Sequence, residues 1–124
     1  MDVTMPKALL LAMLDFAMEQ HPHEIVLLLR GRVGREHAKI EDFLLPPLAV
    51  SGNSFAEFPL HKLPIDFTII GTGHSHPSGH LAPSVGDLNN FYGRIMLIFA
   101  RPYRLSNAAV FNARGEKLSL SVSD

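Results

Sequence analysis

The sequence predicts an α+β fold in one domain, with a mixed β-sheet flanked by helices. Three observations predict it. An apolar stretch with helical periodicity occupies residues 8–18, and β-rich apolar runs too short for independent helices follow at 24–29, 67–70 and 95–100. Ser84 opens a second helical pattern between the last two of those runs, so helices and strands interleave around one sheet. The chain has 124 residues, 47% of them hydrophobic, enough to bury a core without disulfides.

The first helix is read from Leu10, Leu14 and Ala17, which recur at helical spacing with Met13 and Phe16 beside them. Thr4 is the expected N-cap, with Pro6 in the first turn and Pro22 marking the far end. The mostly apolar circumference predicts burial on more than one side, which a homodimer contact would complete. Asp15 interrupts the run, and it is too short to span a bilayer, so neither a membrane span nor a targeting segment is expected.

Residues 24–29 predict a central strand covered on both faces, with Glu24 at its head. A turn in the region 31–34 leads to a second strand at 37–45, stopped by Pro46 and Pro47. Arg30, Arg32, Arg35 and Lys39 read as the polar face of this hairpin, with a contact to an acidic protein partner as the alternative. A shorter strand is expected at 54–58, and the strand through 67–70 leads into the Gly71–Asp87 stretch. The second helix is expected from Ser84 to about Tyr92, with Val85, Leu88 and Phe91 on one face. A strand at 95–100 follows, then a hairpin pairing 108–111 with 118–122 across Asn112, Ala113, Arg114 and Gly115.

Composition excludes several function classes. Eleven Lys and Arg against twelve Asp and Glu give a net charge of −1, so no overall basic field exists to hold a phosphate backbone, and nucleic acid is not an expected partner. The chain has no cysteine, which removes disulfides, thiolate zinc ligands and a cysteine nucleophile together. Any metal site must use nitrogen and oxygen donors.

Residues 71–87 read GTGHSHPSGHLAPSVGD. In a strand, His74 and His76 project to one face while Ser75 turns to the other. Zinc takes imidazole readily, and a catalytic site holds it with three protein ligands, leaving the fourth position to water or substrate. Asp87 is the candidate third ligand, across a Pro- and Gly-rich turn that can fold back on the strand end. A His-x-His pair alone is more often a surface pair than a metal site, and Ser84 with Asp87 also fits a helix-capping pattern. The three donors and a hydroxyl within one stretch favour the metal site. Glu24 reads from spacing alone as a solvated acid at a strand entrance. His21, His23, His37, His61 and His80 read as solvated side chains, with His80 the one near enough to join a metal site.

The order of these motifs resembles the JAMM or MPN+ zinc metalloproteases, whose pattern is an early glutamate, then H-S/T-H-P, a short spacer and S-x-x-D. Here these are His74-Ser75-His76-Pro77, the spacer 78–83 and Ser84-Val85-Gly86-Asp87, while HPHEIVLLLRG makes Glu24 the counterpart of the glutamate. The resemblance spans nearly the whole chain and is nearest to the short archaeal and bacterial members. It implies a three-layer α/β/α fold of the cytidine-deaminase-like type. It also implies one zinc ion per chain on His74, His76 and Asp87, Glu24 as general base, and Ser84 as donor to the tetrahedral intermediate. Capping and catalysis would then compete for the Ser84 hydroxyl. The implied substrate is a ubiquitin-like protein, a small modifier or sulfur carrier, or its conjugates, cut after the C-terminal glycine in the cytoplasm. Its tail is expected to add as a strand near 54–58. Two alternatives stay open: a non-catalytic scaffold or assembly module, and a metal-binding regulatory protein with His80 as fourth ligand.

Overall fold

The computed structural model describes residues 1–46 and 66–124. Within them the elements run β1 (Asp2–Pro6), α1 (Lys7–Gln20), β2 (Val26–Val33), β3 (His37–Leu44), β4 (Ile69–His76), α2 (Val85–Asn89), β5 (Ile95–Ala100), β6 (Ala108–Phe111) and β7 (Lys117–Ser123). The strands are hydrogen-bonded in the order β1-β3-β2-β4-β5-β6-β7, and β1 also pairs with β7, closing the sheet on itself. Pairing is parallel for β1 with β3, β1 with β7 and β4 with β5, and antiparallel elsewhere, so the sheet is mixed as expected. The strand expected at 54–58 lies outside the described residues.

The closing strand corrects the reading of the N-terminus. Thr4 lies within β1 rather than capping a helix, and Pro6 takes the N-cap place with extended backbone. Val3 and Met5 are buried while their neighbours are not, a period of two that belongs to a strand. Pairing with two neighbours gives these residues more backbone hydrogen bonds than a cap would.

Helix α1 buries Leu10, Met13, Leu14 and Ala17 in the main core, among Val3, Met5, Ile25, Leu27, Leu29 and Ile40. Leu11 and Met18 stay exposed, so the helix is buried along one side and not around its circumference. On β2, Leu27 and Leu29 face that core, while Val26 and Leu28 pack with Leu44, Ile69 and Tyr92 on the opposite side. The alternation repeats on β5, where Met96 and Ile98 meet Leu81, Ala82 and Phe91. Both faces of the central strands are therefore covered, which is why these segments read as continuous apolar runs. Among the described residues no helix is long and apolar enough to cross a membrane.

The β2–β3 turn comes later than expected, because β2 continues through Gly31 to Val33. A Cβ on Gly31 would fall on the Lys39 carbonyl oxygen, so this glycine serves close strand approach beside a register shift at Arg30 and Gly31. Arg32 pairs with Glu41 across the hairpin at 3.5 Å, on its solvated face. Helix α2 is shorter than expected. Val85 is 77% exposed and none of its residues is buried. The helix stops at Asn90, whose backbone leaves helical geometry and whose side-chain amide donates to the Gly86 carbonyl at 3.0 Å. The β6–β7 turn is as expected, with Asn112 Oδ1 accepting from the backbone N–H groups of Arg114 and Glu116.

Candidate metal centre

β4 runs between antiparallel β2 and parallel β5, and its C-terminal end presents His74 and His76 on one side. Both are 8% exposed. Close approach of β5 depends on Gly71, since a Cβ there would meet the Ile95 carbonyl oxygen. Ser75 points away from the histidines, and its hydroxyl accepts the Ile25 N–H at 2.8 Å, while its own N–H donates to the Ile25 carbonyl at 3.1 Å. These two bonds tie the histidine strand to the entrance of β2, next to Glu24.

After His76 the chain turns back on itself, with Gly79 N–H and Arg101 N–H both donating to the His76 carbonyl. The turn delivers Ser84 and Asp87 as a reciprocal cap on α2. Asp87 N–H donates to Ser84 Oγ at 3.0 Å, and Ser84 N–H donates to Asp87 Oδ2 at 2.9 Å. The cap aims the Asp87 carboxylate at the strand end, where Oδ2 stands 3.0 Å from His76 Nε2 and Oδ1 3.6 Å from His74 Nδ1. The residues expected as ligands are thus brought together.

The far nitrogen of each ring is also held. His76 Nδ1 donates to the His80 carbonyl at 2.8 Å, which fixes its proton there and turns Nε2 toward Asp87. His74 Nε2 lies 2.9 Å from Thr72 Oγ1. Thr72 was not among the expected site residues, though the period of two from His74 places it on the same face. The role of His80 falls to its backbone carbonyl, for which no side-chain signal exists. The His80 residue itself is exposed. His21 departs from the solvated reading, since its Nδ1 is buried without a hydrogen-bond partner among the described residues.

Burial pulls the His74 pKa down to about 4 against the attraction of Asp87, with His76 adding to the decrease. Burial also opposes a charged His76, but the Asp87 and His80 hydrogen bonds and the charges of Asp87 and Glu24 outweigh it and raise its pKa. Asp87 is lowered despite its own burial, by His76, the Ser84 N–H and the His74 charge. Glu24 precedes Ile25, whose backbone is bonded to Ser75 between the two histidines.

A pH dependence follows for metal-stripped protein. In the unfolded chain His74 takes a proton near pH 6.5, whereas the folded site resists it until about 4. Between these values the unfolded state binds more protons, so stability falls as pH falls, by on the order of 3 kcal/mol in total. The raised pKa of His76 acts in a separate window above 6.5, where its contribution is lost as pH rises. Denaturant unfolding across pH 4 to 7 is expected to show this slope, and His74→Gln to remove it. A flat profile in the wild-type protein would contradict the assignment.

Among the described residues no three such side chains are already splayed around a metal-sized gap; the imidazoles turn onto the carboxylate. The donor set nevertheless fits zinc. Two imidazole nitrogens and a carboxylate are donors that zinc takes in a catalytic site, with the fourth position left to water or substrate.

The family model of prokaryotic homologs of the JAB domain matches residues 6–113. The chain belongs to this family. A relative from Haloferax volcanii, named a probable metalloprotease, is 39% identical over 122 residues, covering 90% of this chain and 76% of its own length. A JAB1/MPN domain protein from Archaeoglobus fulgidus is 30% identical in sequence, with TM-score 0.73 and full coverage of both chains. A structure described as JAMM, a metalloprotease-like zinc site in the proteasome and signalosome, is 24% identical with TM-score 0.68. It covers 100% of this chain and 98% of its own, a likeness that bears on the fold. These structural neighbours share the mixed sheet and the two helices seen here.

Proposed function

We propose that this chain is a cytoplasmic zinc-dependent peptidase that hydrolyses the amide bond after the C-terminal glycine of a ubiquitin-like protein. The observation that carries the reading is the convergence of His74, His76 and Asp87 at the end of β4, with the far nitrogen of each imidazole held by a neighbour. The relative named a probable metalloprotease supports the reaction class. Bound by these three residues, one zinc ion per chain would supply Lewis acidity, polarising the scissile carbonyl and lowering the pKa of a water.

The chain's own groups do the rest. Glu24 stands at the entrance of β2, held to β4 through the Ile25 and Ser75 bonds. It takes the proton of the attacking water and hands it to the departing amine. Ser84 donates its hydroxyl hydrogen to the oxygen that gains charge in the tetrahedral intermediate. Its bond to Asp87 uses a lone pair of Oγ and leaves that hydrogen uncommitted, so capping and catalysis draw on different parts of one hydroxyl. The ubiquitin-like tail suits the reading because an extended chain ending in glycine is thin and carries no bulky side chain at the bond to be cut.

The test uses zinc-loaded protein with two substrates: a ubiquitin-like domain fused through its terminal glycine to a peptide, and the same domain joined to a lysine side chain. Cleavage of either at the glycine carbonyl, stopped by a chelator and restored by zinc, is the expected result. Intact substrates in the presence of one bound zinc per chain would refute the proposal.

A further inference from the structure

Tyr103 adopts φ 60°, the left-handed region that a bulky residue enters only when its surroundings hold it there. It follows β5 by three residues, and Ala100, the last residue of β5, pairs with His76. The Tyr103 N–H donates to the Ala100 carbonyl at 2.8 Å, and the side chain, 5% exposed, folds back into the main core with Ile25. Such strain is found where the side chain has a task.

What Tyr103 touches defines the task. Its ring meets His21 edge-on, with centroids 6.2 Å apart. Its phenol is buried and makes no aligned hydrogen bond with a described residue. Burial raises the phenol's pKa, with the Glu24 charge adding to it and the influence of the Ser75 hydroxyl and of Arg101 opposing it; Tyr103 shares the main core with Ile25, whose backbone Ser75 holds. Ser75 is the residue whose hydroxyl accepts the Ile25 N–H. Tyr103 therefore meets the segment around Glu24 at two points, His21 three residues before it and, in the main core, Ile25 one residue after it.

We propose that Tyr103 is a positioning residue, whose hydroxyl secures the Ser75 clamp on Ile25 and through it fixes Glu24 against the histidine strand. Ser75 Oγ keeps a second lone pair and its own hydrogen after accepting from Ile25, so it can complete a bond with the phenol in either direction. Catalytic hydrogen bonds that are loose in the free protein tighten in the working complex. A fixed Glu24 needs no reorganisation to reach its proton. The consequence for catalysis rests on the proposed role of Glu24; the consequence for the clamp does not.

The experiment compares wild type, Tyr103→Phe, Ser75→Ala and the double variant by amide hydrogen exchange and by kcat and KM in the zinc-loaded protein. Tyr103→Phe keeps the ring and removes one hydroxyl. It is expected to speed exchange at the Ile25 amide roughly fivefold to tenfold while Leu27 and Leu29 hold their rates, and to lower kcat by a similar factor with KM unchanged. The double variant should match Ser75→Ala alone, because the two side chains act in series. Unchanged exchange at Ile25 in Tyr103→Phe, or effects that simply add, would overturn the proposal. Faster Ile25 exchange in a protein that cleaves neither substrate would support the clamp while the peptidase reading fails.

Discussion

Asp87→Ala is expected to abolish the proposed zinc binding. Wild-type protein should carry about one zinc per chain by elemental analysis and the variant close to none, with affinity reduced more than about 100-fold, since loss of a supporting group alone costs 10- to 100-fold. Asp87 is the hinge of the arrangement: its two oxygens face His74 and His76, and its Oδ2 also takes the Ser84 N–H. Losing the cap costs about 1 kcal/mol. The fold should survive, because α2 buries none of its residues and the main core is formed by α1 and the sheet. Circular dichroism of the variant should therefore match the wild type, which separates loss of a ligand from loss of structure. His76→Ala should behave alike. His80→Ala should keep its zinc, because His76 Nδ1 bonds to the His80 backbone carbonyl and not to its imidazole. Zinc lost from His80→Ala would favour the closed four-ligand regulatory site, and a wild-type protein that takes no zinc even in excess would favour the scaffold.

Glu24→Gln should give the opposite signature, full zinc with cleavage lost. Glutamine keeps the size and polarity of the side chain but cannot accept the proton of the attacking water. A positioned general base contributes about 10²–10⁴-fold, and kcat should fall by that factor. Zinc should stay, because the proposed donors are His74, His76 and Asp87, and Glu24 is not among them. Stability should change little, as Glu24 is an exposed residue preceding β2. Retained full activity would remove Glu24 from the mechanism and leave the metal centre untouched.

Much of the site was legible in the sequence because its geometry is local. Two histidines separated by one residue share a face in any strand, and Ser84 and Asp87 cap each other across three residues of one helical turn. The strand at Ile95–Ala100 and the hairpin after it were legible for the same reason, from short apolar runs and a turn with its own hydrogen bonds. Helix α2 was overextended because Leu88 and Phe91 keep helical spacing past the point where Asn90 bonds back to Gly86.

The sequence by itself determined which side chains are available and which faces they share: His74 with His76, Ser84 with Asp87, and two-sided burial for β2. Only the tertiary structure decided that Asp2–Pro6 closes the sheet, that Thr72 and the His80 carbonyl orient the imidazoles, and that Tyr103 meets His21 and shares the core with Ile25, the residue Ser75 clamps. The division follows from distance along the chain. Periodicity and capping are fixed by bonds spanning a few residues, whereas Ile25 and Ser75 meet across fifty positions, through a strand register that no local pattern specifies.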